Sequence, residues 1–259
     1  MIENTLYMIG LILAILYLIM GFDDFIWDFY SFTKRATYRK SRLDFKELRN
    51  SPPKLLAITI GAWNEAAVIG EVIENLILTI QYPKSMYHLF VGVYPNDQET
   101  IDIVSEIQKR VPNVHMVINC IQGPTTKAQN INFVISQIKE YEKTYGWRFA
   151  AITVHDAEDV VHPYEFMVTN YLIDYYDALQ FPVFPLMQMP RFRNFLSTLT
   201  VGTYADEFAE NHFITMVGRC STGAFVPSAG TGFSLSRKTI DSFETDEILP
   251  SSSLTEDYR

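Results

Sequence analysis

Three carboxylates fall within four residues at Asp156, Glu158 and Asp159, directly behind His155 and an apolar run at residues 149–154. A buried strand that ends in clustered acids is a place to hold a divalent cation. Mg²⁺ and Mn²⁺ take carboxylate oxygens and share their remaining positions with substrate phosphates. An isolated acidic cluster after a strand is more often a solvated loop, so the weight rests on what else converges there. Asn64-Glu65 follows the apolar run 55–60, Asn96-Asp97 follows 89–94, and Gly123-Pro124-Thr125-Thr126-Lys127 follows 114–120. Acids, amides and one lysine at one place suit a nucleotide with its phosphates and metal. A zinc site from His155, Asp156 and His162 is the weaker option, because the spacing matches no zinc pattern.

The elements that must bring these groups together are legible in the hydrophobic pattern. The run 55–60 is continuous and Ile-rich, as expected of a parallel strand covered on both faces. Behind it Val68/Ile69, Val72/Ile73, Leu76/Ile77 and Ile80 form a helical stripe. The cycle repeats: strand 89–94, a helix opened by an Asn96/Glu99 capping box, strand 114–120, a helix over about 127–145, and strand 149–154. Such alternation predicts an α/β fold, a mostly parallel doubly wound sheet with helices on both faces. Ligands in such sheets bind outside the carboxyl ends of the strands, where all the polar groups named above fall. No Gly-x-Gly-x-x-Gly follows the first strand and no Walker sequence occurs, which disfavours dinucleotide oxidoreductases and P-loop NTPases. A nucleotidyltransferase would carry a glycine-rich loop where Gly61-Ala62-Trp63 stands.

The first fifty residues differ from the rest. Residues 6–22 are almost wholly apolar and uncharged, and as a helix they would span about 25 Å, the short end of a bilayer core. Glu3 stands where a signal peptide would be basic. Lys34, Arg35, Arg39, Lys40, Arg42, Lys46 and Arg49 follow, which by the positive-inside rule puts the downstream chain in the cytoplasm. Residues 1–50 therefore read as a transmembrane helix with a basic juxtamembrane linker. Ser51-Pro52-Pro53 marks the change to a soluble domain, 51–259. Net charge is −9, against general nucleic-acid binding, and the two cysteines, Cys120 and Cys220, form no redox or metal motif. The Phe-, Met- and Tyr-rich stretch 182–220 reads as core packing ahead of an interfacial helix.

Trp63-Asn64-Glu65, Asp97, the segment Gly123 to Lys127 with Ala128, Asn130 and Asn132, and Asp156-Ala157-Glu158 resemble the motifs of family 2 glycosyltransferases. So do Ser228-Ala229-Gly230-Thr231-Gly232-Phe233-Ser234-Leu235-Ser236-Arg237 and Leu254-Thr255-Glu256-Asp257-Tyr258. All six occur in the family's order, over about residues 53–259, and with the N-terminal apolar segment they are nearest an inner-membrane group of that family.

The resemblance implies a GT-A fold and an inverting, metal-dependent transfer from a nucleotide-sugar donor, a UDP-sugar, to a glycan or lipid-linked acceptor. The setting would be exopolysaccharide or surface-glycan synthesis at the bacterial inner membrane, with the catalytic domain facing the cytoplasm. Glu65 and Asp97 would contact the nucleoside and Lys127 the nucleoside or diphosphate. Asp156 and Glu158 would hold Mg²⁺ or Mn²⁺, and Asp257 would be the general base. Two departures stand out. Glu158 occupies the third position of the usual Asp-x-Asp, and the chain stops at Arg259, short of the Gln-x-x-Arg-Trp motif and later membrane helices, as a truncated domain would. The Asp-x-Glu departure motivates the alternative, a transferase-like scaffold or phage-adsorption component with an envelope or outer-membrane partner protein.

Overall fold

A computed structural model describes residues 2–40, 43–186, 195–243, 245 and 247–251. The chain divides into two compact units: Leu43–Phe181 with Ser228–Arg259, and Met1–Arg42 with Pro182–Pro227.

The larger unit is built on one sheet. Its strands are β1 (Leu56–Gly61), β2 (Tyr87–Val93), β3 (Val114–Ile118), β4 (Ala151–Asp156), β5 (Ala178–Gln180) and β6 (Phe233–Ser236), in the order β3-β2-β1-β4-β6-β5. The first four are parallel; β6 runs antiparallel to β4, with Val154 opposite Phe233. The sheet is thus mixed. The reversal matters for the site, because it lays the amino end of β6 beside the carboxyl end of β4.

Helices cover both faces, as the pattern predicts. On one face α3 (Ile69–Thr79) and α4 (Gln98–Arg110) bury Ile69, Ile73, Leu76, Val104 and Ile107 against Leu56, Ile58, Leu89 and Val91. On the other, α5 (Lys127–Tyr145) buries Ile131, Val134, Ile135 and Ile138 against Ala57, Phe90, Phe149 and Ile152. Each of the first four strands starts or ends within a few residues of its expected place, β5 and β6 are additions, and α5 spans the predicted 127–145. Its ends show why. Thr126 and Gln129 form a capping box, and Gly146 closes the helix in the left-handed region at φ 66°. The capping expectation at α4 needs correcting. Asp97, not Asn96, is the N-cap, its carboxylate accepting from the Thr100 N–H, and Asn96 is used elsewhere. A short α2 (Phe45–Asn50) and α6 (Glu165–Leu172) complete this side, with Asn170 Oδ1 accepting from the Lys54 N–H at 2.9 Å.

The smaller unit is helical: α1 (Ile2–Lys40), α7 (Phe195–Glu210), a π-helical turn (Asn211–Thr215) and α8 (Met216–Thr222). Within α1, Asn4–Lys34 is long and apolar enough to cross a membrane, 31 residues with none of its apolar window buried. The helix runs on without a break to Lys40. Gly218 lets α8 pack on α1: a Cβ there would meet the Trp27 ring at 3.1 Å. Ser31 Oγ donates to the Ile214 carbonyl at 3.0 Å, and the Arg219 guanidinium lies over the Trp27 ring at 5.1 Å. The aromatic stretch divides between roles: Met216 is buried, whereas Tyr204 and Phe213 are exposed.

Candidate donor and metal site

Strand register builds the site. Gly61 pairs with Asp156 across β1 and β4, so the turn after β1 lies beside the acids after β4. That turn needs a left-handed residue, and Asn64 supplies it at φ 58°, a conformation Asn tolerates better than most side chains. Its N–H donates to Asp97 Oδ2 at 2.6 Å, and the Glu65 N–H donates to Thr100 Oγ1 at 3.2 Å. Asp97 is buried, with one oxygen capping α4 and the other fixing this turn. Asn96 clamps the next loop: its amide donates to the Gly123 carbonyl at 2.9 Å and accepts the Gly123 N–H at 2.8 Å. Trp63 stands edge-on to Tyr94 at 5.2 Å and lies against Gly123, where a Cβ would meet the indole at 2.5 Å. Only glycine fits there.

Four carboxylates share this edge. Burial raises the Glu65 pKa, and Glu158, Asp156 and Asp97 raise it further, so these acids feel one another. Lys127, the first residue of α5, answers them. Its Nζ lies 2.5 Å from Asp156 Oδ1 and donates to the Gly230 carbonyl at 2.7 Å. Glu158 is exposed and makes no hydrogen bond or ion pair among the described residues.

Asp159 faces the other way. Its Oδ2 accepts the Asp156 N–H at 3.0 Å and the Thr231 hydroxyl, and lies 3.4 Å from His155 Nδ1. His155 is buried, and its Nε2 meets Glu165 Oε1 at 2.8 Å. Burial alone would lower the His155 pKa. The Glu165 carboxylate foremost, with Asp159, outweighs it and lifts the pKa to about 9. Burial likewise pushes Asp159 up, but the hydrogen bonds from His155, Thr231 and the Asp156 N–H hold it below the usual carboxylate range. His155 is therefore a buried imidazolium with both ring nitrogens taken. The zinc option is overturned: His162 Nδ1 accepts the Tyr164 N–H, and no cluster of three or more His, Cys, Asp or Glu able to hold a metal occurs among the described residues.

The structure thus gathers Glu65, Asp97, Lys127, Asp156 and Glu158 at one edge, while Asp257, with Thr255 and Glu256, lies outside the described residues. Glu165 and Gln180 went unnoticed in the sequence. Glu165 sits ten positions beyond His155 in the next helix, and no periodicity ties the two. Two carboxylates with phosphate oxygens as the remaining ligands is a donor set that suits Mg²⁺ or Mn²⁺, and the surplus of negative charge here fits a cation.

A sheet with four parallel strands, a reversed fifth and acids at the junction of β4 and β6 defines a GT-A-type glycosyltransferase domain. The chain belongs to the glycosyltransferase-like family 2, whose family model matches residues 52–259. It is 38% identical over 262 residues to bacteriophage adsorption protein B of Escherichia coli (strain K12) and, to the same degree, to bacteriophage N4 adsorption protein B of Escherichia coli O157:H7. The alignments cover 98% of this chain and 34% of each relative, so the chain spans about a third of the length of the curated relatives it matches. Among solved structures, the mannosyltransferase PcManGT from Pyrobaculum calidifontis, in complex with GDP-Man and Mn²⁺, is similar in fold. Its TM-score is 0.54 at 14% identity, covering 93% of this chain and 60% of that one.

Proposed function

We propose that the domain transfers a sugar from a nucleotide-sugar donor, a UDP-sugar, to a glycan or lipid-linked acceptor, with inversion. The observation that carries this reading is the convergence of Glu65, Asp97, Lys127, Asp156 and Glu158 at the carboxyl edge of the sheet of a family 2 chain. Asp156 and Glu158 would hold Mg²⁺ or Mn²⁺, which when bound neutralises the charge growing on the diphosphate leaving group. Glu65, on a turn fixed by Asp97, would face the nucleoside, and Lys127 would reach the diphosphate. Asp257 would take the proton from the acceptor hydroxyl as that oxygen attacks the anomeric carbon.

In the same reading residues 1–50 form a membrane anchor, and the basic residues after it put the transferase domain, 51–259, on the cytoplasmic face of a bacterial inner membrane. Exopolysaccharide or surface-glycan synthesis is the setting this implies. Isothermal titration with UDP and Mn²⁺, and with GDP and Mn²⁺, tests the site. Binding is expected with UDP and should be abolished by Asp156→Ala; binding of GDP alone would overturn the UDP assignment, and unchanged binding in that variant would sink the metal assignment.

The names of the two Escherichia coli relatives favour a second reading, a transferase-like component of phage adsorption that meets an envelope protein. Donor turnover in the membrane-embedded protein, lost in Asp257→Asn, decides for the enzyme.

A further inference from the structure

Residues 228–232 lie between a stretch that belongs to the other unit and the reversed strand β6. The segment is held to the end of β4 by Thr231 and Asp159 and to β5 by Gln180. Thr231 is buried; its hydroxyl accepts the Asp156 N–H at 3.0 Å and donates to Asp159. Asp159 also accepts that same Asp156 N–H at 3.0 Å. The backbone amide of the proposed metal ligand is therefore shared between a side chain of the segment and the acid that holds it. From β5, Gln180 closes the other side. Its Oε1 accepts the Ala229 N–H at 2.9 Å and the Ser228 hydroxyl at 3.2 Å, and its Nε2 donates to the Thr231 and Gly232 carbonyls at 2.9 and 3.2 Å. Gly230 and Gly232 adopt φ of 80° and 62°, so between these ties the backbone follows a path that side chains resist.

We infer that Asp159, Thr231 and Gln180 are positioning residues: Asp159 and Thr231 fasten segment 228–232 to the Asp156 amide, and Gln180 fastens it to β5. Occupancy of the donor and metal site is thereby transmitted to the segment that enters β6. This rests on the donor reading above. None of the three touches the reacting atoms. Asp159 and Thr231 act through the Asp156 amide and Gln180 through the backbone of the segment. Lys127 adds a tie of a different kind, since its ammonium holds Asp156 and the Gly230 carbonyl together and a bound cation would compete with it for Asp156.

Amide hydrogen exchange of the membrane-embedded protein in detergent, with and without nucleotide and Mn²⁺, separates the possibilities. Thr231→Val removes the hydroxyl at nearly the same shape, Thr231→Ser restores it, and Gln180→Ala opens the β5 side. Without ligand, Thr231→Val, which loses two hydrogen bonds, should speed exchange at residues 228–232 by about tenfold, and Gln180→Ala, which loses four to the segment, by at least as much, with the β1 and β2 core amides unchanged. Thr231→Ser should stay within about twofold of the parent. With nucleotide and Mn²⁺ the parent should show slowed exchange over 228–232. The two disruptive variants should lose that slowing, and their Mn²⁺-nucleotide Kd should rise by no more than the factor by which ligand slows exchange in the parent, since the coupling is reciprocal and no ligand group has been removed.

Unchanged exchange at 228–232 in ligand-free Thr231→Val overturns the inference, as does a fall in affinity matching that of Asp156→Ala. A parent that binds no nucleotide defeats the donor reading by itself and with it the transmission of occupancy. The ligand-free arm still decides whether the fastening exists.

Discussion

Replacing the buried His155 with glutamine should erase one specific part of the pH dependence of stability. The imidazolium sits between Glu165 and Asp159, and its pKa rises from an ordinary 6.5 to about 9. Because the folded value lies above the unfolded one, the stabilisation is full below pH 6.5 and disappears as pH rises through about 9. At about 1.4 kcal/mol per pH unit that window is worth about 3 kcal/mol. For a domain of this size about 2–4 °C accompanies each kcal/mol, so the parent should lose about 6–12 °C between pH 6 and pH 10 through this group. The variant should start lower at pH 6, since it leaves Glu165 buried without its cation, a change costing about 3–5 kcal/mol. Its melting temperature should then fall less steeply, and the two curves should converge by pH 10. Scanning calorimetry at half-unit pH steps gives both curves. Parallel curves with a constant offset would show that His155 is neutral in the folded chain and that the ion-pair account is wrong.

Three further outcomes follow from the site. Lys127→Met frees Asp156 and should tighten Mn²⁺ binding in the absence of nucleotide several-fold while weakening nucleotide binding, both read by titration. Gly123→Ala should cost about 1–3 kcal/mol of stability through its clash with Trp63, and adding Trp63→Ala should relieve part of that loss in a thermal melt. Glu158→Gln should weaken Mn²⁺ binding in the presence of nucleotide by about tenfold, whereas Glu158→Asp should hold it within about threefold; loss in Glu158→Asp with binding kept in Glu158→Gln would mean that reach, not charge, is what the position supplies.

The parts of the fold governed by local rules were legible in the chain. Ile-rich runs marked the parallel strands, the 3.6-residue stripe at Ile69, Ile73 and Leu76 marked α3, and helix α5 matched its expected span because its cap and its terminating glycine are local signals. Strands β5 and β6 were not read from the sequence at all, because three and four residues are too few to carry a periodic pattern, and so the reversal of β6 went unseen. Asn96 and Asp97 show the same limit on a smaller scale. Either can cap a helix, and only the fold, by bringing Gly123 against Asn96, decides which one does. The partners of His155 were hidden because Glu165 reaches it from the next helix, and Thr231 reaches Asp159 across 72 positions of chain. Nor did composition foretell that 182–227 would group with the N-terminal helix, since Phe and Met fill a soluble core and a membrane-side bundle equally well.

In the proposed metal site, energetics favour Glu158 over its neighbour as the partner of Asp156. Asp159 holds one oxygen against the Asp156 N–H, the Thr231 hydroxyl and His155. Swinging that carboxylate to a metal would forfeit these bonds, each worth about 1–3 kcal/mol to a charged acceptor, and leave a buried imidazolium with one counter-ion instead of two. Glu158 is exposed and surrenders nothing of this kind. Its longer side chain loses up to about 2 kcal/mol of rotamer freedom on ligation, which is less than the bonds Asp159 would abandon. The glutamate at this position is therefore not a degraded aspartate beside an intact one. Asp159 is committed to aligning the strand end, and the acid left free to move is Glu158.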